Sequence, residues 1–252
     1  MKYTIAIDLG GTIIKIGLLN NGQLIDRLEI KAQSATGLAN QLPDLEIAIN
    51  QLITKNNILK EDVLGIGFSF AGLVDSSRNR ILSTNQKYDD APGIDLVGWA
   101  KAKWDWPLFA ENDARMALLG EWQFGAGVNC EDLVMVTLGT GIGTGVLIGG
   151  KLLKGKHFQA GNLGGHLVVN HRGTLCTCGN IGCVEAEAST WRLPSLLKEH
   201  PQFNDSSLKN EERLDFRVLI DHVAKGDLVA REVLDHRLSA WAAGFIDRKS
   251  VV

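Results

Sequence analysis

One pattern occurs twice in this chain: a short apolar run, a glycine-bearing turn, then a second apolar run. The first copy covers residues 3–8, the turn Leu9-Gly-Gly-Thr12 and residues 13–19. The second covers residues 133–138, a glycine turn, and residues 144–148. Short β-branched runs bounded by glycine read as buried strands. Asn21-Gly22 is a strong hairpin signal, so residues 24–30 should form a third strand. Gly149-Gly150 does the same for residues 151–153 in the second copy. Two antiparallel openings of this kind predict two related lobes, with the boundary at residues 110–130. We draw it as an N-terminal lobe over 1–112 and a C-terminal lobe over 113–252.

Between these openings the pattern is mixed α/β. Apolar residues at Leu42, Leu45, Ile49, Leu52 and Ile53 have helical spacing, and Pro43 suits a first helical turn. Residues 63–70 read as another buried strand, 76–98 as a turn-rich surface loop, 96–104 as a short helix and 107–110 as a strand. Asn112-Asp113 should open a helix that ends at Phe124, with Gly125 as its stop. Beyond Cys183 the chain reads as helical, and Asp227 should cap the last amphipathic stretch before a polar ending at 247–252.

Both glycine turns carry chemistry. Glycine lets a backbone approach a ligand closely and present N–H groups to phosphate oxygens. In the first turn Gly10, Gly11 and the Thr12 hydroxyl are such donors. Lys15 could reach back as a cation, and Asp8 could orient Mg2+ through water, as hard oxygen ligands do. The second, Leu138-Gly-Thr-Gly-Ile-Gly-Thr-Gly145, offers Gly139, Thr140 and Gly141. It has no Gly-Lys-Ser/Thr of a P-loop, and a strand follows it where a dinucleotide fold would have a helix. Two such loops fit a nucleotide held between two lobes, and ATP is the expected one.

Asp113 lies where a strand meets a helix, and a helix N-terminus favours an ionised carboxylate. Such a group can take the proton of a hydroxyl that attacks a phosphate. Asn112 offers a donor and an acceptor, which suits vicinal sugar hydroxyls. The competing reading is a plain helix cap.

His166, Cys176, Cys178 and Cys183 form the third group. One imidazole and three thiolates match a closed structural Zn2+ site, and the surrounding glycines let a short segment wrap an ion. A tight cysteine cluster reads as a metal site in a reducing compartment. Cys130 stands apart. The net charge of −3 over 252 residues, with no run of like charges, argues against a nucleic-acid partner. No apolar run reaches the roughly 18 residues that cross a bilayer. With no signal peptide read at the start, the expected location is cytoplasmic.

In this order, Asp8-Leu-Gly-Gly-Thr12, Gly65-x-Gly67 with Ala71-Gly72-Leu-Val-Asp75, Glu111-Asn-Asp-Ala114, Leu138-Gly-Thr-Gly-Ile-Gly143 and the His/Cys cluster resemble the ROK family of bacterial sugar kinases and sugar-responsive repressors. The resemblance runs from residue 4 to 246. It implies an α/β fold of the actin-like ATPase (ribonuclease H-like) type, in two lobes, binding sugar and ATP. It implies Asp113 as the catalytic base. Gly72, Asn85, Asn112, His166 and Glu185 are then expected at the sugar. The family pattern just before the metal cluster is Glu-x-Gly-His. Here it is Gly161-Asn-Leu-Gly-Gly-His166, so Asn162 stands near the position of a sugar-binding glutamate. Family members also run on for several dozen residues past Val252, so the second lobe is expected to be cut short and to expose apolar surface. The activity implied is transfer of the γ-phosphate to a hexose hydroxyl, the 6-hydroxyl of glucose or an N-acetylhexosamine, in a homodimer. The alternative is a catalytically impaired sugar-binding fragment or a regulator. Repressors of the family begin with a helix-turn-helix, whereas this sequence opens on the first glycine loop.

Overall fold

The computed structural model describes residues 1–245. The polar ending expected at 247–252 lies outside them. Contacts divide the chain into two units, Met1–Leu133 with Leu147–Ala160, and Val134–Val146 with Gly161 onward. This partition places residues 113–133 and 147–160 with the first unit, where the sequence reading had put them in a second lobe.

The first unit is built on a five-stranded sheet in the order β3-β2-β1-β4-β7. Strands β1 (Tyr3–Leu9), β2 (Ile13–Asn20) and β3 (Gln23–Lys31) form an antiparallel meander. The left-handed Asn21-Gly22 pair makes the predicted tight turn, with φ of 49° and 80°. Strand β4 (Val63–Phe70) adds in parallel to β1. Strand β7 (Leu108–Asn112) adds in parallel to β4, in register Ser69 to Glu111 and Phe70 to Asn112. That register carries the Glu111-Asn112-Asp113 segment to the same end of the sheet as Asp8, because Asp8 pairs with Ser69. Buried Ile5, Ile7, Ile14, Ile16, Ile66 and Phe68 on the sheet pack with Leu45, Ile49 and Leu52 of α1 (Leu42–Lys55). Burying each such side chain contributes about 1.5–3 kcal/mol.

The segment read as a loop over 76–98 is more ordered than expected. A hairpin forms from β5 (Gly72–Asp75) and β6 (Arg80–Thr84). Its turn is set by the Asp75 carboxylate, which accepts from the Ser77 amide and hydroxyl and from the Arg78 amide. The hydrophobic alternation there is too short to announce a strand pair. Helix α2 (Leu96–Trp104) is capped by Asp95, whose Oδ1 accepts from Gly98 N. Helix α3 (Asp113–Phe124) follows β7 directly. Its fully buried Arg115 explains why residues 147–160 belong to this unit. One guanidinium nitrogen donates to the carbonyls of Leu153 and Ala160, at 3.3 and 2.7 Å. Another lies 3.4 Å from Glu111.

The second sheet has the order β10-β9-β8, from β8 (Leu133–Leu138), β9 (Ile142–Ile148) and β10 (Lys151–Leu152). β8 is an edge strand, with Val134 and Leu138 exposed. In the second unit, α4 (Val184–Ala188) is five residues long and buried throughout. Its Val184 and Ala188 pack with Ile142 and with Ala240 of α7 (Leu228–Phe245). A separate apolar cluster joins Leu193 and Leu197 of α5 (Leu193–Glu199), Leu219 of α6 (Phe216–Ala224) and Val229 and Val233 of α7. Asp227 caps α7 as predicted, accepting from Ala230 N at 3.1 Å. Among the described residues no helix is long and apolar enough to cross a membrane.

Candidate active site and metal centre

In the first unit, the loop between β1 and β2 presents Gly10, Gly11 and Thr12. Gly10 N turns back to the Asp8 carbonyl at 3.1 Å. Among the described residues the amides of Gly11 and Thr12 donate to no protein group. The Asp8 carboxylate is half exposed, receives the Ser69 hydroxyl at 3.3 Å, and lies 3.9 Å from Lys15 Nζ. The predicted donors, cation and carboxylate of this loop therefore share one site.

Asp113 is the first residue of α3 and is exposed. Its Oδ1 accepts from Ala114 N at 2.8 Å and from Asn112 Nδ2 at 2.9 Å, which fixes the carboxyl plane. Surrounding protein thins the water around it, and the Asp8 carboxylate adds repulsion. Both push its pKa above the ordinary carboxylate value, against those hydrogen bonds. A base whose proton affinity is raised toward neutrality accepts a proton more readily. Asn112 is the cap that the competing reading expected. Its Oδ1 accepts from Arg115 N at 3.2 Å, and its amide nitrogen donates to Asp113 and to the Gly72 carbonyl, at 2.9 and 3.0 Å. What it has left for a sugar is one acceptor lone pair on Oδ1. Gly72 sits at the start of the β5–β6 hairpin, paired with Thr84. Asn85 follows that hairpin and is exposed.

Sequence reasoning missed the charged cluster behind this carboxylate. Glu111 is buried and holds Lys154 at 2.9 Å on one oxygen and Arg115 on the other. Lys154 also donates to the Ser76 hydroxyl at 2.6 Å. The one available signal was Glu111 and Arg115 at helical spacing beside the Asn-Asp pair.

In the second unit, a turn closed by Gly179 N on the Cys176 carbonyl presents Cys176 and Cys178. An isolated bridge between Val168 and Cys183 brings the other two members alongside. The four ligand atoms of His166, Cys176, Cys178 and Cys183 all lie within 4.8 Å of one another. The Cys178 and Cys183 sulfurs are 3.7 Å apart, and Cys176 Sγ is 3.6 Å from His166 Nδ1. Tetrahedral zinc with Zn–S near 2.3 Å and Zn–N near 2.05 Å requires edges of about 3.8 and 3.6 Å. The donor set therefore fits zinc. Burial, and then the neighbouring thiols, push Cys183 up to about 12. Three thiolates can gather here only with a cation to neutralise them.

Glu185, two residues past the last cysteine, is buried. Its Oε2 accepts from Ile142 N at 2.9 Å, at the end of the second glycine loop. The Gly139 and Thr140 carbonyls accept from Thr190 N and Trp191 N, at 3.1 and 3.2 Å. Among the described residues the Thr140 and Gly141 amides have no acceptor. The metal segment, Glu185 and the second loop thus form one connected structure. Asn162 is buried too, and its Oδ1 has no partner among the described residues. An orphaned buried acceptor marks a place for a donor from outside the chain. Glu187, which the sequence did not single out, ties this structure to α7. It accepts from Thr174 N at 2.6 Å and meets His236 Nε2 at 2.9 Å.

The family model described as ROK family matches residues 4–251, and the chain belongs to that family. A glucokinase of Thermotoga maritima is 33% identical over 251 residues, covering 96% of this chain and 77% of the relative. A xylose repressor of Bacillus spizizenii is 30% identical over 230 residues, covering 90% of this chain and 55% of the repressor. The crystal structure of a ROK family glucokinase from Streptomyces griseus, in complex with glucose and AMPPNP, superposes with a TM-score of 0.75 at 28% identity. That match covers 96% of this chain and 77% of the solved one. The fold is the actin-like ATPase fold of the ROK kinases, as the resemblance implied.

Proposed function

We propose that this chain carries the catalytic machinery of an ATP-dependent hexose kinase. The observation that carries the reading is Asp113: an exposed carboxylate with raised proton affinity, oriented by two hydrogen bonds, at the sheet end that also bears Asp8 and the first glycine loop. In this reading Asp113 takes the proton of the sugar hydroxyl as that oxygen bonds to the γ-phosphorus. The bond between that phosphorus and the β–γ bridging oxygen breaks, and ADP leaves. The amides of Gly11 and Thr12 receive phosphate oxygens, and Gly139, Thr140 and Gly141 are assigned to nucleotide phosphate as well. Asp8 is assigned to Mg2+, which supplies charge neutralisation on the phosphates when bound.

Asn85, Asn112, Asn162, His166 and Glu185 are assigned to the sugar. Support for Asn162 is its orphaned oxygen. Support for His166 is that Nδ1 faces the thiols, leaving Nε2 with no protein partner among the described residues. Zinc, bound by His166 and the three cysteines, serves to orient that imidazole and to hold the segment that ends in Glu185. Glucose is the first candidate, with N-acetylmannosamine and N-acetylglucosamine next.

The second reading is a sugar-responsive regulator or an impaired sugar binder, favoured by the similarity to a xylose repressor. Coupled measurement of ADP release over a hexose panel separates the two. Sugar-dependent ADP release supports the kinase. Calorimetric sugar binding with no ADP release for any bound sugar supports the regulator and overturns the kinase.

A further inference from the structure

We propose that Lys87 is a second cation of the first glycine loop, placed to hold the terminal phosphate of a bound polyphosphate. The inference rests on the phosphate-loop reading above. No motif points to Lys87; its place comes from how residues 84–90 fold.

That segment is bound to the glycine loop at several points. Tyr88 is buried, and its hydroxyl donates to the Gly10 carbonyl at 3.0 Å. Burial pushes this phenol up to about 12, so it remains a donor at any working pH. Tyr88 N donates to the Ser34 carbonyl at 2.8 Å, and the Ser34 hydroxyl donates to the Gly11 carbonyl at 2.9 Å. Gln86 and Tyr88 both have left-handed backbones, with φ of 56° and 55°. Neither is glycine, and such conformations persist only where surrounding contacts over-determine them. They turn the intervening Lys87 onto the loop. Its Cδ, Cε and Nζ lie 2.7–2.8 Å from where a Cβ on Gly11 would sit. The lysine end therefore lies against Gly11, within the loop that carries the two undonated amides, and a side chain at position 11 would displace it.

The charge pattern points the same way. Lys15, the cation the sequence suggested, lies 3.9 Å from the Asp8 carboxylate. Lys87 is half-buried and forms no ion pair among the described residues. The acidic groups beside it are otherwise engaged. Asp89 accepts from the Thr84 hydroxyl at 2.7 Å, and Asp90 accepts from the Leu38 and Ala39 amides. A half-buried lysine with no counter-ion among the described residues, its ammonium end against Gly11 of a loop with free amides, is a partner for a polyanion.

The test is calorimetry on the full chain with Mg2+-tripolyphosphate, and separately with the hexose that the wild type binds most tightly. Lys87→Met keeps the aliphatic stem on Gly11 and removes only the charge. Thermal melts confirm that the variant folds. We expect Lys87→Met to weaken tripolyphosphate roughly tenfold, about the worth of one charge-assisted hydrogen bond. Lys87→Arg should recover most of that loss, and hexose affinity should be unchanged. If the wild type binds no tripolyphosphate, the loop reading fails and this inference with it. If the wild type binds it and Lys87→Met binds it equally well, the loop reading stands and the inference is overturned. A variant that loses hexose more than tripolyphosphate places Lys87 at the sugar and also overturns it.

Discussion

The link between the second glycine loop and Glu185 can be tested through Gly141. A Cβ there would lie 2.7 Å from Glu185 Oε2, the oxygen that accepts from Ile142 N at 2.9 Å. Restoring an ordinary 3.4 Å contact requires the carboxylate to retreat by about 0.7 Å, which stretches its hydrogen bond to as much as about 3.6 Å, past useful length. Gly141→Ala should therefore lose a buried bond to a charged acceptor, about 1.5–3 kcal/mol. For a chain of this size that corresponds to a fall in melting temperature of roughly 3–12 °C. Sugar affinity should fall with it, because the displaced group is the assigned sugar ligand. Circular dichroism melts and calorimetry measure both. The decisive comparison is a double-mutant cycle. In a Glu185→Ala background the atom that the new methyl strikes is gone, so Gly141→Ala should then cost little. An equal cost in both backgrounds would refute the argument that this glycine makes room for Glu185.

Further outcomes follow from the same geometry. Asp113→Asn should abolish ADP release while leaving sugar affinity nearly intact; substantial turnover with lost sugar binding would count against Asp113 as base. Because the folded state raises the Asp113 pKa, that carboxyl favours folding below the ordinary carboxylate range and loses this contribution as pH rises through the folded value. Asp113→Asn should therefore be no less stable than wild type at pH 7 in urea titrations, and turnover should fall as pH drops through the raised value. Asp227 shifts the opposite way: burial opposes its ionisation, but hydrogen bonds from Ser206, Ala230 and Ser207 outweigh it and hold it at about 2. Its contribution is present above 3.8 and lost as pH falls toward about 2, so Asp227→Asn should flatten the acid limb of the stability curve there. Freshly purified protein should contain one zinc per chain, and a strong chelator should expose three further reactive thiols besides Cys130. Cys183→Ser should lower the zinc content, and sub-stoichiometric metal with all four thiols reactive in fresh wild type would sink the metal assignment.

What the sequence made legible were features that short stretches decide. Asn21-Gly22 fixes its hairpin through local backbone preference, and the helix opening at Asn112-Asp113 is a cap written in adjacent residues. The metal cluster was legible because three thiols and an imidazole within eighteen residues have few other uses. The β5–β6 hairpin escaped because its pairing is held by the Asp75 side chain on the turn rather than by hydrophobic alternation. The unit boundary escaped for a longer-range reason. Arg115 reaches across 38 and 45 residues of sequence to the Leu153 and Ala160 carbonyls, and nothing local announces that a helical arginine will be fully buried.

Glu185 shows how the two kinds of information combine. Its expected role came from resemblance alone, since a glutamate after Cys-Val has no local signature. The fold supplies a physical reason for its position. The last cysteine fixes the start of α4, α4 is buried on all sides, and the carboxylate is held at the glycine loop by Ile142 N. Glu187, one turn-face away, is anchored to Thr174 of the metal segment and to His236 of α7. Losing the metal should therefore loosen both ends of α4, and with them the placement of Glu185. Under the proposed assignments, zinc would act on the sugar through α4 as well as through His166. His166→Ala, which removes one ligand and the imidazole together, should then weaken sugar binding more than Asn162→Ala, which leaves the metal segment intact. Equal losses in the two variants, with zinc lost only from the first, would show that α4 holds its position without the metal.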